Sequence, residues 1–216
     1  MAKDASRVQP LSMVHVLWNL LLAAIAVGLA YAMAGAMRAH RRREDRALVV
    51  PLFVVFTAWL LMLPNTAYLF TEVRHFFEAI EGGDLWSRAH VSSSARWRLA
   101  WSGGIVGMYL VAGALTFGLA VRPVRDAMRE RGVRTGALML PFCIVIAFGV
   151  YLGLAGLNSW DVLTRPERVI VDAIVALSVP RRVLFFACGG GALWTIFGIV
   201  DVWIDGARLR LGASAR

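Results

Sequence analysis

Five long apolar runs constrain this chain more than any other feature: Met13 to Met37, Ala47 to Leu63, Leu99 to Val121, Gly136 to Leu157 and Val183 to Ile204. Four of them hold 22 to 25 residues, enough to cross a hydrocarbon core that takes roughly 20 helical residues. The second holds 17 and reaches that length only if its helix continues past Pro64 toward Phe70. Strands are excluded, because a lone strand in lipid leaves its backbone polar groups unpaired. Of all residues 59% are hydrophobic and 17% charged, against roughly 25% charged in a water-soluble domain. Such a chain cannot cover its core with polar surface, so lipid must be its solvent. The expected fold is an all-α integral membrane helical bundle. It is a single membrane domain over 1–216, with five transmembrane helices at 13–37, 47–70, 99–121, 136–157 and 183–204. The lipid bilayer is its first partner.

The first run is too long for a signal-peptide core, and its arginines lie on the wrong side, so it reads as an uncleaved span. Residues 166–180 are too short to span. Arg168 and Asp172 stand four apart among apolar neighbours there, which suits an interfacial helix or a re-entrant segment.

The net charge of +9 does not signal nucleic-acid binding. Its arginines cluster between the apolar runs, at 38, 41, 42, 43 and 46 and again at 122, 125, 129, 131 and 134, as in polybasic loops beside membrane helices. With the N-terminus outside, 13 of the 23 basic residues fall on cytoplasmic segments, and the two shortest loops carry five each. The expected orientation is N-terminus outside and C-terminus cytoplasmic. Cys143 and Cys188 stand alone in apolar runs and read as small buried hydrophobes. Gly103 with Gly107, and Gly149 with Gly153, are small-xxx-small pairs suited to close helix packing, and Gly189, Gly190 and Gly191 mark a flexible or closely packed point.

One polar constellation interrupts this pattern. Pro64 should kink or restart the second helix. After it, Asn65, Tyr68, Glu72 and His75 fall on one α-helical face about 80° wide, amid apolar Leu69, Phe70, Val73 and Phe76. The fourth run ends in Asn158-Ser159-Trp160-Asp161. Spans two and four run in the same direction, so Asn65, Tyr68, Glu72 and His75 can meet Asn158 and Asp161 at one membrane face, the non-cytoplasmic one in the expected orientation. His15 and Asn19 could join them. Elsewhere, Asp201 and Asp205 suggest an interfacial ion pair with Arg208, His90 sits in a Ser-rich solvated loop, and Trp86, Trp97, Trp101, Trp160 and Trp203 suit interface anchoring.

Trp18-Asn19-Leu20, the run from Leu63 to His75, and Asn158 to Asp161 after Tyr151-Leu152-Gly153 resemble a bacterial membrane family, domain of unknown function 1361. The resemblance covers most of the chain. Glu72 stands where the family more usually has Asp, and Thr66-Ala67 where it has Ala-Pro. The resemblance implies a multi-pass protein of the bacterial inner membrane and no known activity.

Three functions fit the constellation. Its polar groups could hydrogen-bond across helices and hold spans two and four together. They could bind or conduct a small polar ligand, a lipid head group or a proton, although no inverted repeat supports a full transporter. They could also form an enzyme site acting on a lipid-linked substrate, with Glu72, His75 and Asp161 as acid/base groups or as ligands of a single divalent metal. No other cofactor is expected. A homo-oligomer or another membrane partner stays open.

Overall fold

The computed structural model describes residues 13–43, 49–82, 85–157 and 160–214, and at Glu72, His75 and a few other positions the backbone alone. Among the described residues every regular element is helical. Helix α1 (Met13–Arg43) is span one. Span two is α2 (Val49–Met62), α3 (Pro64–Tyr68), a 3-10 turn (Leu69–Glu72) and α4 (Val73–Gly82). A short α5 (Leu85–Val91) leads to α6 (Ser93–Arg129), α7 (Thr135–Leu154) is span four, and α8 (Asp161–Thr164) and α9 (Pro166–Leu177) precede α10 (Pro180–Ser214). Five segments are long and apolar enough to cross a membrane, at Leu17–Arg41, Val49–Glu78, Ser93–Arg129, Thr135–Leu154 and Pro180–Leu211. They coincide with the five apolar runs. Helices three and five overshoot them, because the arginine-rich ends continue the helix rather than form loops.

Most of the apolar surface faces outward. Phe53, Met108, Leu184, Ile199 and Val202 are more than half exposed, a surface that water would not tolerate and that lipid solvates. Trp86, Trp97, Trp101, Trp160 and Trp203 are likewise exposed, at 58–71%. The interior is built on small residues. Ala23, Ala26, Ala30 and Ala34 recur along α1 and are buried, the last three beside the buried Phe117, Ala120, Val121 and Val124 of α6 and Ala23 beside Leu69 and Tyr109. With no methylene side chains between them, backbones can approach closely, which is what drives helix association in lipid. Gly118 of α6 receives Val200 of α10 in the same way.

Trp59 joins three spans. It is 3% exposed, its ring stacks on Phe142 of α7 at 5.7 Å, and its indole N–H donates to the Ala120 carbonyl of α6 at 2.9 Å. That carbonyl lies in the turn that Pro123, which has no N–H to donate, interrupts. Trp59→Phe keeps the stacking and removes the hydrogen bond, so it should cost about 1 kcal/mol. Thermal unfolding of the purified variant in detergent would measure it.

The ends of α1, α6 and α10 share one face, and ion pairs tie them together. Arg38 forks onto the Glu130 carboxylate at 2.9–3.1 Å. Arg41 donates to the Glu130 carbonyl, just past the C-terminus of α6, and Arg131 to the Met37 carbonyl in the last turns of α1, both at 2.6 Å. The Arg38 hydrogen bond holds the Glu130 carboxyl below its ordinary range, so this tie persists at neutral pH and is lost only as pH falls through that lowered value. The expectation for Asp201 and Asp205 is corrected here. Their direct partners are Arg122 and Arg125 of α6, across helices, with Arg208 adding only a longer-range attraction to Asp205, and those two α6 arginines are buried helix residues rather than loop charges.

Two smaller expectations also change. The stretch around His90 is helix α5, with the exposed His90 ring edge-on to Trp86 at 5.7 Å, rather than a solvated loop. Cys143 is buried as expected, but Cys188 is exposed on the outside of α10. Residues 166–177 form α9, in which Arg168 and Asp172 pair at 3.7 Å.

Candidate functional site

At the face opposite the arginines, Pro64 shapes the local structure. It cannot donate a backbone hydrogen bond, so α2 stops at Met62 and a new helix starts at Pro64, where proline is accommodated in the first turn. The backbone at Leu63 stays helical (φ −60°, ψ −38°), so span two continues with an altered bonding ladder rather than turning away. The Asn65 side-chain amide donates to the freed Met62 carbonyl at 3.0 Å. The buried Thr66 hydroxyl donates to the Leu63 carbonyl at 2.7 Å.

The broken segment packs directly on span four. A Cβ at Gly149 would lie 2.8 Å from Pro64 Cγ, and one at Gly153 would lie 3.8 Å from the Tyr68 ring. The small-xxx-small pair on α7 therefore receives Pro64 and Tyr68, one turn apart on span two. Gly103 similarly faces the Phe76 ring, at 3.7 Å, while Gly107 faces open space. Span four then ends on Gly156, whose φ of +88° is the left-handed conformation glycine adopts without strain. The Leu157 N–H returns to the Leu152 carbonyl at 3.1 Å, closing the helix in a Schellman turn and burying Leu157.

Between these elements lies a cleft of about 590 Å³. Its walls come from α1 (Trp18, Asn19), from span two (Pro64, Asn65, Tyr68), and from the Val145 to Leu157 stretch of span four. Trp160, Val162 and Val169 lie across one side. Asn65 and Tyr68, singled out from the sequence, thus border one space with the end of span four, and Asn19 joins them. Among the described lining residues the polar groups are neutral: two amides, a phenol and two indoles, set in apolar walls. Such a lining suits a ligand whose polar end is uncharged.

Other members of the constellation stand differently. Asp161 begins α8, next to the Trp160 that borders the cleft, and is half-buried. Asn158 and the side chains of Glu72, His75 and His15 lie outside the described residues. The 3-10 turn at Leu69–Glu72 advances about 120° per residue instead of 100°. The uniform α-helical register behind the one-face expectation is therefore interrupted between Tyr68 and Glu72. Among the described residues no three His, Cys, Asp or Glu side chains gather as a metal set.

A second polar centre, at the arginine face, is one that sequence reasoning missed. Arg125, 6% exposed, grips the Asp201 carboxylate with two nitrogens at 2.6 and 2.9 Å and holds Asp126 at 2.8 Å. Its guanidinium also lies 5.0 Å from the Phe197 ring centre. Arg122, 7% exposed, donates to the Asp201 carbonyl at 3.2 Å and pairs with Asp205 and, at 3.6 Å, Asp126. The spacing held the signal, since Arg122 with Asp126, and Asp201 with Asp205, are i,i+4 pairs on facing helix ends.

No curated protein and no solved structure matches the chain. The family model described as protein of unknown function DUF1361 matches residues 18–196, from the tryptophan at the cleft to about the middle of α10, and the chain belongs to that family.

Proposed function

We propose that this protein is a ligand-binding protein of the membrane, holding a small amphiphile with an uncharged polar end in the cleft between spans one, two and four. The observation that supports this is the cleft's lining, in which Asn19, Asn65 and Tyr68 offer neutral hydrogen-bonding groups among apolar walls of about drug-ligand size. By chain continuity, Glu72 and His75 follow Tyr68, and Asn158 and Asp161 follow Leu157. Asp161, next to the cleft-lining Trp160, then stands near the end of the cleft. In the expected orientation, with the N-terminus outside and the C-terminus cytoplasmic in a bacterial inner membrane, that end opens on the non-cytoplasmic side.

Asn65 is a poor residue for testing this, because its amide also caps α2. Gly153 is better. It borders the cleft, and a Cβ there meets only the Tyr68 ring at ordinary contact distance. Wild-type protein should carry a co-purifying amphiphile, read by mass spectrometry of solvent extracts, and Gly153→Leu, which fills the cleft and crowds the Tyr68 ring, should lose it while still eluting as a folded, monodisperse species. Identical extracts from wild type and variant would refute the reading.

A further inference from the structure

A second concavity, of about 670 Å³, lies outside the cleft on the flank where span four ends and span five begins. Arg74 of α4 and Arg181 and Arg182 of α10 border it, with Tyr151, Leu184 and Phe185. No acidic side chain is among its described lining residues. Arg182 is held from two sides. Its guanidinium lies 5.9 Å from the Tyr151 ring centre, and one nitrogen donates to the Val175 carbonyl of α9 at 3.2 Å. Arg181 is exposed, and Arg74 carries an i,i+4 partner in Glu78 at 3.2 Å, so among the described residues the groove's basic side chains outnumber the acidic ones by about two.

The apolar part of the groove is open to the outside. Leu184 and Phe185 are 63% and 56% exposed, and Cys188, also exposed, lies one helical turn further into the span. From Arg181 to Cys188 the wall runs about 10 Å along α10. Guanidiniums at the end of a span with an outward apolar wall below them repeat the polarity order of an anionic phospholipid, with its phosphate at the interface and its chains beneath. Guanidinium matches phosphate in charge and in its forked donor geometry.

We propose that this groove binds the phosphate head group of an anionic phospholipid from the surrounding bilayer, with the first carbons of its chains along Leu184 and Phe185. The site is separate from the cleft, and its ligand is opposite in kind: charged and drawn from the bilayer, rather than neutral and enclosed.

The test uses the full chain in a neutral maltoside detergent, titrated with dioctanoyl phosphatidylglycerol or dioctanoyl phosphatidylcholine, with the bound lipid counted by native mass spectrometry. Phosphatidylglycerol should bind more tightly than the zwitterionic phosphatidylcholine. Each arginine near a lipid surface contributes about a fivefold change, so R181Q/R182Q should weaken phosphatidylglycerol binding about 30-fold and phosphatidylcholine binding much less, narrowing the gap between the two lipids. If the double variant does not fold, R181Q alone, at an exposed position, should weaken it about fivefold. Gly153→Leu should leave this binding unchanged, which separates the groove from the cleft. Equal affinity for the two lipids, indifference to the arginine substitutions, or displacement of the lipid by equimolar inorganic phosphate would each overturn the proposal.

Discussion

Arg125→Ala is expected to destabilise the protein by about 3–5 kcal/mol, the cost of breaking a buried ion pair from one side. Arg125 is 6% exposed and touches both Asp201 and Asp126. Removing it leaves Asp201, itself half-buried, facing only Arg122. The loss is that of a carboxylate at a helix contact left with one of its two guanidinium partners, more than the worth of the lost attraction. The double variant Arg125→Met with Asp201→Leu should therefore recover much of it, since replacing a buried pair by apolar residues is often near neutral. Unfolding by denaturant in mixed micelles, run on both singles and the double, would show this as strong coupling. Additive losses would mean that the two side chains do not act as a pair.

The second large effect is steric. Gly190→Leu should cost about 3 kcal/mol or more, the upper range for overpacking. A Cβ at Gly190 would stand 2.7 Å from both the backbone nitrogen and the Cα of Ile144, and backbone cannot rotate aside as a side chain would. Spans four and five would have to separate along their length. The adjacent glycine supplies the control. At Gly191 a Cβ meets nothing within 4 Å, so Gly191→Ala should be neutral or slightly stabilising through helix propensity alone. Heat-induced aggregation monitored by size-exclusion chromatography would rank the variants, and equal behaviour at the two positions would contradict the packing described.

Those neighbours show where sequence reasoning reaches and where it stops. The five spans are legible because a run such as Leu99 to Val121 has one physical outcome in lipid. The break at Pro64 is legible because proline's missing donor acts locally. The glycine triplet is legible only as an alternative between flexible and closely packed. The structure places it inside the continuous helix α10, and only the position of Ile144 distinguishes Gly190 from Gly191.

The candidate site divides in the same way. That Asn65 and Tyr68 should approach the end of span four follows from counting membrane crossings, and Gly149 and Gly153 turn out to be the seat of that approach. The one-face alignment of Asn65, Tyr68, Glu72 and His75 assumes an unbroken α-helix, and the 3-10 turn at Leu69–Glu72 departs from it. No local signal in Leu-Phe-Thr-Glu announces that turn. Asp201 and Asp205 visibly need positive partners, and Arg208 is the nearest along the chain. Arg122 and Arg125 lie some 80 residues away, where proximity in sequence gives no help.

That distance has a temporal side. Arg125 and Asp201 are 76 residues apart, and chains are synthesised at about 5–20 residues per second. For about 4–15 s after Arg122 and Arg125 emerge, their aspartate partners on span five do not yet exist, and Asp126 is the only member of the cluster beside them. During that interval they carry net positive charge with Asp126 alone to offset it, and two buried helix contacts are still missing. Once span five is made, the same two guanidiniums become the neutralised centre of a helix contact. The same two side chains thus stand first as bare charge on the growing chain and afterwards as an internal fastening of the finished one.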